Sequence, residues 1–128
     1  MKEDRQEQGR QNRLLGQWGE ALVAQDLRKK GWTLQAAGYR CRLGEIDLVA
    51  TNRKFLIFVE VKLRKDDHFA TAAEAVTYKK QERLRAAAET YLAKYPTKLQ
   101  PRFDVAEVYA PQGTDTPKPT IRYIENAF

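Results

Sequence analysis

The chain has 128 residues, 42% of them apolar and 31% charged, which suits a domain able to bury its own core without disulfide or metal staples. Lysine and arginine outnumber aspartate and glutamate by 23 to 17, a net charge of +6, so the favoured partner is a polyanion, nucleic acid ahead of an anionic membrane surface. One cysteine, Cys41, excludes an internal disulfide and a thiolate metal cluster. No apolar run approaches the ~18 residues of a membrane span, and the polar N-terminus is no signal peptide; the expected location is the cytoplasm.

Residues 1–13 mix Lys2, Arg5, Arg10 and Arg13 with Glu3, Asp4 and Glu7 and offer nothing to pack, which predicts a disordered lead-in to one domain over residues 14–128. From Leu14 to Lys30 the residues Leu14, Leu15, Trp18, Ala21 and Leu22 recur at helical spacing, and Gly31 stands where a C-cap belongs. Trp32 to Cys41 reads as a first strand interrupted by Gly38, Gly44 as a turn, Glu45 to Ala50 as a second strand, and Phe55 to Lys62 as a third, rich in β-branched and aromatic residues. Arg64 to Phe69 is a charged loop. A helical stretch follows from about Thr71 to Lys94, its main segment capped by Thr77, its buried stripe Leu84, Ala88, Tyr91 and Leu92, and its end set by Pro96. Arg102 to Tyr109 and Ile121 to Ile124 are strands separated by a loop with Pro111, Gly113, Pro117 and Pro119. Short connections make the first three strands an antiparallel meander, and the long helix permits a parallel crossover to the fourth. The expected class is α/β, a mixed sheet flanked by helices.

The third strand carries the informative chemistry. Alternation puts Phe55, Ile57, Val59 and Val61 on one face and Leu56, Phe58, Glu60 and Lys62 on the other. A carboxylate and an ammonium thus continue a row of core residues. A two-residue turn at Asn52-Arg53 would set Thr51 against Lys54, Asp47 against Phe58 and Glu45 against Glu60, so that Glu45, Asp47, Glu60 and Lys62 share a face and Asp47 and Glu60 become diagonal neighbours. Converging carboxylates need a positive charge; hard oxygen donors suit Mg²⁺ or Mn²⁺, and Lys62 adds a second cation. Glu20, among Gly16, Val23, Ala24 and Leu27 on its helix, is expected to be partly buried and a further member of the site. Such a set serves phosphodiester hydrolysis: Asp47 and Glu60 fix the metal, and Lys62 orients the attacking water or stabilises charge on the phosphate. The bland alternative is a salt-bridge network at a strand end. Cys41 reads as a small strand residue, and His68, in the charged loop without an evident partner, as a surface residue.

Asp47 with Glu60 and Lys62 resembles the PD-(D/E)XK signature of the restriction-endonuclease-like superfold, and the α-β-β-β-α-β order resembles its core. The segments Gly44-Glu45-Ile46-Asp47-Leu48 and Phe58-Val59-Glu60-Val61-Lys62 resemble the YraN family of uncharacterised bacterial proteins. Supporting matches are Gly16, Gly19-Glu20, Tyr39-Arg40-Cys41-Arg42, Val76-Thr77, Lys80-Gln81, Arg102-Phe103-Asp104-Val105 and Ala127-Phe128. The resemblance implies a fold shared with Holliday-junction resolvases and restriction enzymes. It assigns metal binding to Asp47, Glu60, Glu20 and the Val61 carbonyl, the motif lysine to Lys62, and supporting places to Gly44 and Glu45. Ile46 stands where the motif often has proline.

Arg40, Arg42, Arg64, Lys65, Lys79, Lys80 and Gln81 are the expected nucleic-acid contacts; cations in the first turn of a helix oppose its dipole, and a phosphate ligand rationalises them. Trp18, Trp32, Tyr91 and Phe103 fit core roles. The leading reading is a Mg²⁺- or Mn²⁺-dependent endonuclease acting on DNA rather than RNA, on branched or structured molecules by resemblance to junction resolvases. Resolvases work as dimers, which makes a homodimer one assembly to consider. The alternatives are a non-catalytic nucleic-acid-binding module and a protein-interaction domain with structural acids.

Overall fold

Strands β1 (Thr33–Cys41), β2 (Gly44–Thr51) and β3 (Phe55–Arg64) form an antiparallel meander, as their short connections dictate. Strand β4 (Gln100–Tyr109) joins β3 in parallel, and β5 (Thr120–Ile124) returns antiparallel beside β4. Helix α1 (Lys2–Lys29) packs Val23, Ala24 and Leu27 on one face of this sheet, and α2 (Tyr78–Lys94) packs Leu84, Ala87, Ala88 and Tyr91 on the other. The computed structural model describes residues 2–66 and 76–128, so His68 and the helical start expected near Thr71 lie outside the described residues. The class is α/β with a mixed sheet, as the sequence predicts. No helix among the described residues is long and apolar enough to cross a membrane.

The first helix differs from expectation at its start. It begins at Lys2, not near Leu14, and the segment predicted as a disordered lead-in is helical. Side-chain pairs one turn apart, Gln8 with Asn12 and Gln11 with Glu7, support it where packing does not. Its end follows the prediction: Gly31 takes φ +94°, Trp32 N–H donates to the Leu27 carbonyl and Gly31 N–H to that of Arg28, the pairing of a glycine-capped helix. Helix α2 is capped by Thr77, whose hydroxyl accepts from the Lys80 N–H.

Alternation on β3 is as expected. Ile57, Val59 and Val61 join the α1-side core; Leu56 and Phe58 join the α2-side core. The register of β2 against β3 is not. Thr51 pairs with Leu56 and Val49 with Phe58, so Asp47 does not face Phe58 and Glu45 does not face Glu60. The cause is Asn52. Its side chain accepts from the N–H groups of Lys54 and Phe55, and its own N–H donates to the Phe55 carbonyl, which moves the two-residue turn on by one position, to Arg53-Lys54. The slip is two residues, an even number, so by itself it leaves the faces of β2 from Leu48 to Thr51 unchanged.

At Asp47 the alternation of β2 skips. Leu48 and Ala50 lie in the α1-side core, whereas Ile46 and Val49 lie in the α2-side core. Across the ladder Gly38 falls between the pairs Ala37–Leu48 and Tyr39–Ile46, opposite Asp47, with φ +66°. A left-handed residue there lets both strands turn over together, and such irregularities re-aim side chains.

At the far end of the sheet Arg102 makes a two-pronged contact with buried Asp104, 2.8 Å on each arm. Asp104 also accepts from the Asn126 N–H, and Phe103 binds the closing residues through the Ala127 N–H and a stacked Phe128 ring. These contacts fasten residues 126–128 to β4.

Candidate active site

Asp47 is the hinge of the site. The paired residues of β2 and β3 end at Leu48 and Val59, and beyond them the Asp47 carboxylate accepts from the Val61 N–H at 2.8 Å. Burial, then the negative charge of Glu60, pushes the Asp47 carboxyl up to about 7, against the opposing pull of the Val61 N–H; Glu20 and a hydrogen bond with Glu60 add to the rise. In an extended strand the N–H and C=O of one residue point the same way, so the Val61 carbonyl also faces Asp47.

Glu60 enters from the α2 face and is only 5% exposed, so its charge needs partners from the protein. It has two. Lys62 Nζ stands 3.7 Å from Glu60 Oε1, and Lys80 Nζ, from the first turn of α2, stands 2.5 Å from the same oxygen. Burial and then the neighbouring Lys80 ammonium lower the Lys62 pKa. Burial alone would lower that of Lys80 too, but its hydrogen bond to Glu60 and the charge of Glu60 raise it.

Glu20, on α1, is partly buried as predicted; burial first, then Glu45 and Glu60, raise its pKa, and Arg40 counters. Two clefts meet at Asp47 and Glu45. One, about 630 Å³, lies between α1 and the β1–β2 hairpin, with Arg13, Gln17, Glu20 and Arg40 on its walls. The other, about 440 Å³, lies under the start of α2, with Glu60, Lys79, Lys80 and Arg83.

The remaining sequence candidates divide. Arg40 pairs with Glu45 at 3.3 Å and lines the first cleft, Lys79 lines the second, and Arg42 and Lys65 are exposed. Gln81 turns its amide to the Val76 carbonyl. Arg64 turns to Glu107, 3.6 Å away and fully buried on β4 beside Lys62. Neither oxygen of Glu107 has a hydrogen-bond partner among the described residues. Sequence reasoning missed Glu107, although a glutamate inside Val105-Ala106-Glu107-Val108 was a signal of burial. It also missed Arg83, and it gave Lys80 to nucleic acid without seeing its reach to Glu60.

Among the described residues no three histidine, cysteine or carboxylate side chains stand close enough to chelate a metal by themselves. Asp47 and Glu60 nevertheless fit a hard divalent cation: two hard oxygen donors are brought together in a half-dry place, at the cost of a carboxyl that holds its proton near neutrality. Glu20 does not complete a three-carboxylate group with them.

The model of the uncharacterised protein family UPF0102 matches residues 19–108. The chain is similar to UPF0102 proteins of Caldanaerobacter subterraneus subsp. tengcongensis (40% identical, covering 89% of this chain and 93% of that protein) and Alkaliphilus metalliredigens (42%, covering 89% and 96%). It is likewise similar to one of Syntrophomonas wolfei, 42% identical over 91% of this chain and 99% of that protein.

Proposed function

The chain belongs to the uncharacterised protein family UPF0102, and we propose that it is a metal-dependent endonuclease that hydrolyses phosphodiester bonds in branched or otherwise structured DNA. The observation that carries this reading is the convergence of Asp47 and Glu60, close enough for the charge of Glu60 to raise the Asp47 pKa, with two lysines on the Glu60 oxygen. A structural salt bridge would set one lysine on each acid, whereas here both lysines stand on the one Glu60 oxygen. Two lysines, two acids and two adjoining clefts are better suited to a phosphate and a cation that are not part of the chain.

Asp47, Glu60 and the Val61 carbonyl would hold Mg²⁺ or Mn²⁺, with Glu20 contributing its field. Such an ion supplies Lewis acidity to the phosphate and to the attacking water. The chain's own residues do the rest. Asp47 is held in place by the Val61 N–H. Lys62 orients the water or neutralises charge as the water oxygen bonds to phosphorus and the bond to the leaving sugar oxygen breaks. Arg40, Lys79 and Arg83 give the cleft walls the positive charge that a DNA backbone seeks.

A non-catalytic nucleic-acid-binding module is the second reading, and the lack of a three-ligand cluster among the described residues favours it. Calorimetric titration of Mn²⁺ into wild type and Asp47→Asn, with cleavage of branched and linear DNA, separates the two. Binding lost in the variant together with cation-dependent cutting by wild type supports the nuclease. DNA binding without Mn²⁺ uptake or cutting supports the module.

A further inference from the structure

Lys62 and Lys80 reach Glu60 from different elements and aim at one oxygen, Lys80 from the closer range. Glu60 is too buried for water to balance its charge, so Lys80 is the ion that does so in the cation-free chain. The Lys80 backbone is fixed, its N–H held by Thr77 beside buried Val76. Its side chain is the more exposed of the two: at 44% exposed, against 27% for Lys62, it lies on the wall of the cleft that also carries Lys79 and Arg83. A dication on Asp47 and Glu60 would add two positive charges beside two ammonium groups. The more exposed ammonium is the one free to leave.

We propose that Lys80 is a second catalytic lysine, one that occupies Glu60 until a divalent cation takes that carboxylate and then turns into the cleft to bind the substrate phosphate. This rests on the metal-dependent reading above. Uptake of the cation and capture of the phosphate are thereby coupled through one side chain. Without the cation the lysine neutralises the site; with it, the same charge is delivered to DNA.

The test is binding, not turnover. Mn²⁺ is titrated into wild type, Lys80→Met and Lys80→Arg, and a fluorescent branched DNA is titrated with each protein in Ca²⁺ and in EDTA. Lys80→Met, which removes the competitor for Glu60, is expected to bind Mn²⁺ roughly tenfold more tightly, and Lys80→Arg to stay near wild type. The same Lys80→Met change is expected to weaken DNA binding roughly tenfold in Ca²⁺ and less than about twofold in EDTA. Equal or weaker Mn²⁺ affinity in Lys80→Met, where wild type binds the ion, overturns the exchange and leaves the metal site standing. An equal loss of DNA affinity in Ca²⁺ and EDTA overturns the movement of Lys80. No Mn²⁺ uptake by any of the three proteins overturns the metal-dependent reading and the exchange with it.

Discussion

The Val61 N–H donates to Oδ2 of Asp47 at 2.8 Å, so the β2–β3 ladder is continued by a side chain where a strand carbonyl would otherwise serve. This pins the carboxylate next to Glu60. The backbone bond favours a charged Asp47, while burial and Glu60 favour a neutral one, and the second pair wins.

A pH dependence of stability follows for the cation-free protein. With the Asp47 carboxyl pushed up to about 7, the folded chain keeps a proton there that the unfolded chain has lost above about pH 4. The stability contributed by this group is therefore present at low pH and is lost as pH rises through about 7. Asp47→Asn keeps an acceptor for the Val61 N–H and removes the charge. It is expected to be more stable than wild type at pH 8 by on the order of 1–3 kcal/mol, and nearly equal to it below about pH 4. Urea unfolding of both proteins in EDTA across this range checks it; a variant less stable than wild type at pH 8 refutes it.

Lys62→Met separates catalysis from metal binding. Before the cation binds, Lys80 still pairs with Glu60 when Lys62 is removed, so the carboxylates are expected to keep their place. Cleavage is expected to fall about 10²- to 10³-fold, the usual loss for a charge-stabilising group, with Mn²⁺ affinity within about threefold of wild type. Single-turnover cleavage beside calorimetry measures both. A parallel loss of Mn²⁺ affinity would make Lys62 a structural partner of Glu60.

Which of these residues meet was only partly legible in the sequence. The face shared by Glu60 and Lys62 follows from strand periodicity, because Phe58 and Leu56 must enter a core and the period is two. The register did not follow, because it depends on where the Asn52 side chain sends its acceptor, and loop length alone does not reveal that. The helical state of Lys2–Arg13 was hidden for a related reason: a polar segment shows no amphipathic stripe, yet it can extend a helix nucleated by the packed turns after it. Lys80 and Glu107 illustrate long-range contacts. Local pattern places Lys80 in a first helical turn and Glu107 in a strand, but only the parallel pairing of β3 with β4 and the packing of α2 bring them to Glu60 and Lys62.

Gly44 supplies a test of how closely the hairpin that carries Glu45 and Asp47 fits α2. A Cβ there would meet the Arg83 carbonyl oxygen at 3.0 Å, and a backbone oxygen inside a helix yields little. Gly44→Ala is expected to cost about 1–3 kcal/mol of stability through overpacking. Gly16→Ala is the control: a Cβ there meets nothing within 4 Å, and in a helix the exchange is expected to be neutral or to stabilise by about 0.5–1 kcal/mol. Thermal or urea unfolding distinguishes them. Equal effects at the two positions would mean that the hairpin and α2 part without penalty.

Glu20 tests how far the site extends beyond its two central acids. It comes from α1 and lines the cleft with Arg40 and Glu45, while Asp47 and Glu60 converge from the strands. Its charge is felt at Asp47, where it adds to the upward shift, yet it completes no three-carboxylate group with them. An acid acting through the field or through a bridging water should matter less than one in direct contact, since the pair interaction falls with distance and solvent screening. Glu20→Gln is therefore expected to weaken Mn²⁺ binding about three- to tenfold, where Asp47→Asn abolishes it, and to lower the Asp47 pKa by removing a negative neighbour. Calorimetry gives the first quantity. The second follows from the same urea series run on Glu20→Gln, whose fall in stability with rising pH should level off at a lower pH than that of wild type. A loss of Mn²⁺ binding as complete as that of Asp47→Asn would instead place Glu20 in contact with the ion.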